Sequence, residues 1–377
     1  MSATNNNDLG HRLLLAKLPG LGPARLRWLM SSGASVAEVA ESIRAGRLPR
    51  ALGAPTWAKG PAMVQTWFEL ARALDPDDLM GHHTRQGVKV AGPGSSWWPF
   101  EGDPEPPLSV TYMGTLGLAV SKPTVAIVGT RRCTTVGRRV AASLGAGLGE
   151  AGVSVISGLA TGIDAASHVG VLSAGGKAIG VVGTGLDVVY PRSNRELWGR
   201  VAEVGLLLSE YPVGTRPENW RFPARNRLIA SLADIVVVVE SHEKGGSLHT
   251  VDEAIQRGRT VMAVPGSVTS AASAGTNQLL VDGCAPVRGV EDVLVALSLE
   301  TCAGPKEPLD PKPAKPYPAS LVQALILDEV GTGAVHIDDL LAASGVAIVD
   351  LLAEIQCMVQ AGLVALDGST VLPGANT

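Results

Sequence analysis

Between Thr124 and Gly266 the chain repeats one pattern: an unbroken apolar run, a glycine-containing loop, then a stretch of helical composition. The runs are TVAIVGT, VSVISG, KAIGVVGTG, LLLSEYP, DIVVVVE and TVMAVPG. Runs without polar alternation mark strands buried on both faces, and alternating them with helices implies a parallel sheet in a doubly wound α/β domain. In such sheets ligands sit beyond the carboxyl ends of the strands, so the loops that follow the runs are the place to look for binding residues.

Around this core the sequence divides further. Residues 1–74 read as a small helical domain, with helices expected at Leu13–Leu18, Ala24–Met30, Val36–Ala45 and Pro61–Leu74. In LPGLGPARL, Gly20 and Gly22 permit a tight turn before a helix near Pro23, which is either a plain helix–helix turn or a helix-hairpin-helix that holds a DNA phosphate. The sheet domain is expected over residues 75–300, with short strands at Val88–Ala91 and Leu108–Met113. Trp97 and Trp98, between these strands, either stack bases or cover a core edge. A proline-rich tether, 301–318, leads to a domain over 319–377. Its helices at Ser320–Val330, Ile337–Ala343 and Ile348–Ala361, followed by strands LVAL and TVL, resemble a winged helix-turn-helix.

Charge decides what these parts can bind. The net charge of −4 excludes a generally basic coat, yet from Pro318 onward there is no Lys or Arg and the acids are Asp328, Glu329, Asp338, Asp339, Asp350, Glu354 and Asp367. The rest of the chain is therefore net positive, and phosphate binding must come from a local patch there. The acidic tail lacks the cations that duplex DNA requires and suits protein docking or regulation. Four scattered cysteines give no metal spacing or disulfide framework. The polar start is no signal peptide and the apolar runs are too short to span a membrane, so the cytoplasm is expected.

The local patch is RPENWRFPARNRLIASL, in which Arg216, Arg221, Arg225 and Arg227 surround Trp220 and Phe222. Guanidinium forks grip phosphate oxygens and aromatic faces stack on bases, a combination suited to a single nucleic-acid strand. The competing reading pairs these arginines with carboxylates at a domain or subunit contact. Gly129-Thr130-Arg131-Arg132 ends the first strand, and Gly137 opens a helix where backbone can approach a phosphate. The dinucleotide fingerprint G-x-G-x-x-G and the Walker motif are both absent, so no cofactor is expected. SGLATGIDAASH contributes Gly158 and places Asp164 and His168 one helical turn apart, as an acid–base pair or, preferably, a structural one. Lys177, in GGK, is either a phosphate contact or a solvated strand-edge lysine. GGSLHT, with Ser247 and Thr250, and AGTNQL, with Thr276 and Asn277, present helix starts that cap themselves or converge on an anion.

In order and spacing, VAIVGTRR, SGLATGID, VVGTGLDVVYPRSN, LLLSEYP, RFPARNRLIASLAD, GGSLHT, VPG and AGTNQLLVDGCA resemble the DNA-processing protein A family, also called DprA or Smf. The resemblance is strong over about residues 81–297 and looser at both ends. It implies an extended Rossmann-like core, with a SAM or helix-hairpin-helix-like start, that binds single-stranded DNA, forms homodimers and loads the RecA recombinase during natural transformation. By position Arg131, Lys177, Arg225 and Arg227 resemble the family's phosphate-gripping groups, with Asn226 beside them. Together with the loop residues, the candidate DNA contacts are Gly129, Arg131, Arg132, Gly158, Lys177, Arg221, Arg225, Asn226, Arg227, Ser247, Thr276 and Asn277. The sequence departs from the family at Thr161, where arginine is usual, and at Gly245, where serine is usual. The alternative is a nucleotide-processing enzyme of the phosphoribohydrolase type, with Asp164, His168 or Glu253 in acid–base roles.

Overall fold

The N-terminal helices begin where capping chemistry places them. They are α1 (Asn6–Lys17), α2 (Pro23–Met30), α3 (Val36–Arg44), α4 (Gly60–Ala73) and α5 (Pro76–Arg85). Ser35 and Glu38 form a reciprocal capping box at the start of α3, and Asp75 accepts from the Asp77 and Asp78 N–H groups before Pro76 opens α5. The sequence reading left α5 out, although Asp-Pro-Asp-Asp is a helix-start signal. Leu13, Leu14, Leu29, Val39, Ile43 and Trp67 form the buried core of this segment.

The structure, a computed structural model, describes residues 6–49, 52, 60–302, 326, 330, 334–344, 348–360 and 363–373. Its chain separates into two units, Met1–Arg288 and Gly289–Thr377. The first holds the helical segment together with a mixed sheet of β1 (Lys89–Ala91), β2 (Val110–Gly114), β3 (Thr124–Val128), β4 (Ser154–Ser157), β5 (Ala178–Val182), β6 (Leu206–Ser209), β7 (Ile235–Val238), β8 (Thr260–Ala263) and β9 (Ala285–Pro286). Their order is β1-β2-β6-β5-β4-β3-β7-β8-β9. All neighbours from β6 to β9 run parallel, while β1 and β2 add antiparallel strands onto β6.

Helices α6 (Thr135–Glu150), α7 (Ile163–Ser173) and α8 (Arg195–Val204) carry the chain from β3 to β6 on one face. On the other face α9 (Arg221–Leu232), α10 (Leu248–Gln256) and α11 (Ala274–Val281) bury Leu228, Ile229, Val251, Ala254 and Leu279 against Ala126, Val128, Ile156 and Val236. Trp98 joins this core edge, packing edge-on to Phe100 at 5.4 Å, whereas Trp97 is exposed. Glycine permits the close approach of α6 and α7: a Cβ on Gly170 would lie 2.1 Å from the Ala142 carbonyl oxygen, and one on Gly145 2.2 Å from that of Ser167. Gly170→Ala gains about 1 kcal/mol of helix propensity but must force two backbones apart. The net expectation is a loss of about 1–3 kcal/mol, read from the urea midpoint; a variant as stable as the parent would refute the contact.

Two ties join the helical segment to the loop after β6. His83 donates through Nδ1 to the Leu79 carbonyl (2.7 Å) and accepts at Nε2 from the Val213 N–H (3.0 Å), and burial pushes its pKa down, which favours this neutral form. Lys17 donates to the Val213 carbonyl at 2.5 Å.

In the second unit α12 (Val290–Cys302) precedes β10 (Val335–His336), α13 (Ile337–Ser344), α14 (Ile348–Gln360), β11 (Val364–Asp367) and β12 (Thr370–Pro373). The strands pair antiparallel in the order β10-β12-β11 over a core of Ile326, Leu340, Leu351, Ile355 and Val371. Thr301 and Cys302, the first residues of the expected tether, close α12. The rest of the tether, and the helix expected at Ser320–Val330 apart from Ile326 and Val330, lie outside the described residues. No helix among the described residues is long and apolar enough to cross a membrane.

Candidate nucleic-acid interface

After β3 the chain turns to α6 on one face of the sheet, and after the neighbouring β7 it turns to α10 on the other. This divergence opens a crevice at the carboxyl ends, where doubly wound sheets receive ligands. A groove of about 620 Å³ occupies it, lined by the Gly129–Arg132 loop, Asp164, the first turns of α9 and the loop from His242 to Thr250. A recess of about 80 Å³ adjoins it, lined by Gly158, Thr161, Tyr190, Pro191, Phe222 and Arg225.

Arg131 and Arg132 are exposed at the groove, and neither makes an ion pair among the described residues. The Arg131 guanidinium lies 5.0 Å above the Phe222 ring, and Phe222 stacks on Tyr190 at 5.3 Å and 28°. Lys244 and His249 add exposed basic side chains on the opposite lip. Ser247 lines the groove with its hydroxyl given to Ser241, and Asn226 accepts from Arg225 Nε at 3.2 Å.

The loop after β4 is held in an unusual shape. Leu159, fully buried, has φ of +53°, a left-handed conformation costing of order 1–3 kcal/mol in a residue of this kind. Asn194 donates to its carbonyl (2.9 Å), and the Asp164 carboxylate accepts the Gly158 N–H (3.1 Å). Burial raises the Asp164 carboxyl, and the nearby Arg225 charge opposes that rise. Arg225 is itself buried, donating through Nη1 to the carbonyls of Gly158 and Val181, and loss of solvent brings its guanidinium down to about 10. It therefore binds the ends of two strands together at the floor between groove and recess.

Several sequence expectations need correction. Arg227 does not face the groove: it is 2% exposed, donates to Glu210, and has Glu105 3.6 Å from its Nε. Because α9 starts at Arg221, Arg225 and Arg227 sit about 200° apart around it and cannot share a phosphate. Arg221 lies outside the groove lining, its guanidinium within 5 Å of both the Tyr211 (4.8 Å) and Trp220 (4.9 Å) ring centres and bonded to Glu218 at 2.9 Å. Lys177 precedes β5 and so stands at the amino-terminal rim, opposite the groove. Thr276 is fully buried with its hydroxyl on the Ser273 carbonyl, and Asn277 is clamped to both backbone groups of Gly266. The groove and recess thus gather Gly129, Arg131, Arg132, Gly158, Arg225, Asn226 and Ser247, and leave out Lys177, Arg221, Arg227, Thr276 and Asn277.

Two further expectations meet particular surroundings. The Gly20–Gly22 turn abuts the start of α9, since a Cβ at Gly22 would lie 3.3 Å from the Trp220 ring. His168 is sealed inside, and burial lowers it to about 4, so it stays neutral and does not share an open site with Asp164. The reading missed Tyr190 of the recess and Lys244 and His249 of the groove, although Tyr190 falls in a motif it quoted and Lys244 directly precedes GGSLHT.

Comparison with known proteins identifies the family. The profile of the family described as DNA recombination-mediator protein A matches residues 96–298, more than half of the 377. The chain is 34% identical over 297 residues to Protein Smf of Synechocystis, covering 78% of this chain and 73% of that protein. It is similar in structure to DNA processing protein A from Streptococcus pneumoniae, with TM-score 0.63 and 31% identity over 78% of this chain and 98% of the other. DNA processing protein A from Helicobacter pylori, whose structure is described as giving insight into a unique single-stranded DNA binding mode, matches with TM-score 0.51 and 27% identity, covering 56% and 95%. By its sequence blocks, its sheet and these matches, the chain belongs to the DNA recombination-mediator protein A family, the DprA or Smf proteins.

Proposed function

We propose that this protein is a non-catalytic single-stranded DNA-binding protein of the cytoplasm that protects incoming or recombining strands and loads a RecA-type recombinase onto them, acting as a homodimer through its sheet unit. The observation that carries the binding role is the pairing of two arginines free of carboxylates, Arg131 and Arg132, with the stacked rings of Phe222 and Tyr190. Cations follow a phosphate backbone while an aromatic face accepts a base, and bases present such faces only when unpaired. The Helicobacter pylori relative supports the same ligand. Recombinase loading and a part in DNA uptake rest on family membership. The exposed Ile255 and Val281, on α10 and α11, support contact between copies at that end of the sheet.

The enzyme reading has less support. His168 is out of reach of the groove, and Glu253 is engaged by Arg257 at 2.5 Å, so neither stands ready beside Asp164 for proton transfer.

Anisotropy titrations with single-stranded and duplex oligonucleotides over a salt series, paired with size measurement, test the proposal. Single strands should bind preferentially, with log affinity falling by about 0.7 per phosphate contact per unit of log salt. Arg131→Ala should remove about one such contact, flattening the slope by about 0.7 and weakening binding to all sequences alike. Salt-independent binding or a preference for duplex would overturn the reading, as would release of base from nucleoside monophosphates.

A further inference from the structure

The helix start that would receive a phosphate in a nucleotide-binding sheet is already filled by a side chain of this protein. Glu240, two residues beyond β7 and 6% exposed, places its carboxylate at the start of α6. Its Oε2 accepts the Thr134 N–H (2.8 Å) and its Oε1 accepts the Thr134 hydroxyl (2.5 Å), while the Thr134 oxygen accepts the Gly137 N–H (2.9 Å). Gly137, in the first turn of α6, lets the carboxylate come this close: a Cβ there would lie 2.2 Å from the Glu240 carboxyl carbon, and the carboxylate would have to move aside. The sequence placed a bound phosphate beside this glycine, and the anion found there is the protein's own.

Glu240 also holds the other end of the same loop. Its backbone carbonyl accepts the Thr130 N–H at 2.8 Å, so one residue grips the loop at Thr130 and at Thr134. Arg131 and Arg132 lie between the two attachments. In a Rossmann site this first turn gives its N–H groups to pyrophosphate. Here the helix-start charge is satisfied internally, and the loop presents side chains instead.

We propose that Glu240 is a positioning and specificity-determining residue: its carboxylate substitutes for a nucleotide phosphate at α6, closing that site to nucleotides and fixing the loop that displays Arg131 and Arg132 to a DNA backbone. The DNA part rests on the function proposed above; the clamp itself does not.

The test uses the full chain with Glu240→Gln, Arg131→Ala and the double variant. Hydrogen exchange across residues 129–137 should quicken about tenfold or more in Glu240→Gln, with the strands unchanged, because the amide loses the negative charge that the helix start favours and can meet the Thr134 hydroxyl only as its donor. Affinity for an oligo-dT strand should fall about tenfold, and the salt slope should flatten by about 0.7, as in Arg131→Ala. The double variant should bind no more than about twofold weaker than Glu240→Gln, since loosening the loop already forfeits the Arg131 contact. Wild-type exchange in Glu240→Gln, or losses that multiply in the double variant, would overturn the inference. If wild-type protein binds no single strand, the functional reading fails while the exchange result still decides the clamp. Should Glu240→Gln not fold, Thr134→Val removes the hydroxyl link from the loop side and should quicken the same exchange, with Thr134→Ser restoring protection. Wild-type exchange in Thr134→Val would then reject the clamp.

Discussion

Arg227→Ala is expected to lower stability by about 3–5 kcal/mol, the range for removing one partner of a buried ion pair. The arginine side chain is 3% exposed and bonded to Glu210, itself 13% exposed. Glu105 also pairs with Arg27, so Glu210 bears most of the loss. Burial already raises the Glu210 carboxyl, and the Arg227 charge restrains that rise. A carboxyl raised on folding favours the native state at low pH and loses that contribution as pH climbs from its unfolded value, near 4.5, through the folded one. Without Arg227 the folded value rises further, so the deficit should be greatest at neutral pH and shrink on acidification. Urea denaturation at neutral and mildly acidic pH measures it, and a loss below about 1 kcal/mol, or one independent of pH, would mean the pair is not buried as described. Folded Arg227→Ala protein should keep the wild-type salt slope for single strands, because this guanidinium faces away from the groove.

The contrast between Arg227 and Arg131 shows where sequence reasoning reached and where it stopped. Buried strands are written in composition, and each of the apolar runs from TVAIVGT to TVMAVPG became a strand with its following loop at the expected rim. The roles of arginines depend on helical phase, and phase depends on the first residue of the helix. Helix α9 carries no side-chain cap; its N-cap position is Trp220, so no Ser, Thr or Asp marks that start. Four arginines close in sequence therefore read as one patch, although the helix sends Arg225 to the strand ends and Arg227 to a carboxylate. Lys177 is a different case. It precedes its strand, and the direction of a parallel sheet alone puts it on the rim opposite the groove. Glu240 went unremarked because an acid after a buried strand has no distinctive local pattern; its role arises only when β7 pairs with β3 and brings it under α6.

Arg225→Ala is the second large effect, and it separates architecture from phosphate grip. Its guanidinium donates to Gly158 and Val181, the two strand ends that floor the groove, and is the main charge opposing the burial of Asp164. Removing it leaves buried carbonyls short of a donor and a buried carboxyl short of its cation, so a loss of about 3–5 kcal/mol is expected. Exposed Arg131, with no carboxylate partner to strand, should change stability by no more than about 0.5 kcal/mol on removal. Arg225→Lys should recover only part of the loss, since an ammonium on a flexible stem cannot reproduce the planar fork that reaches Asn226 and both carbonyls. Thermal denaturation and single-strand titrations below the unfolding transition distinguish the roles. A large stability loss in Arg225→Ala with a preserved salt slope in the folded protein makes this residue the floor of the groove. A flattened slope at unchanged stability would instead return it to the phosphate-gripping role its place in the arginine cluster suggests, and would mean that its two carbonyl contacts give way when DNA arrives.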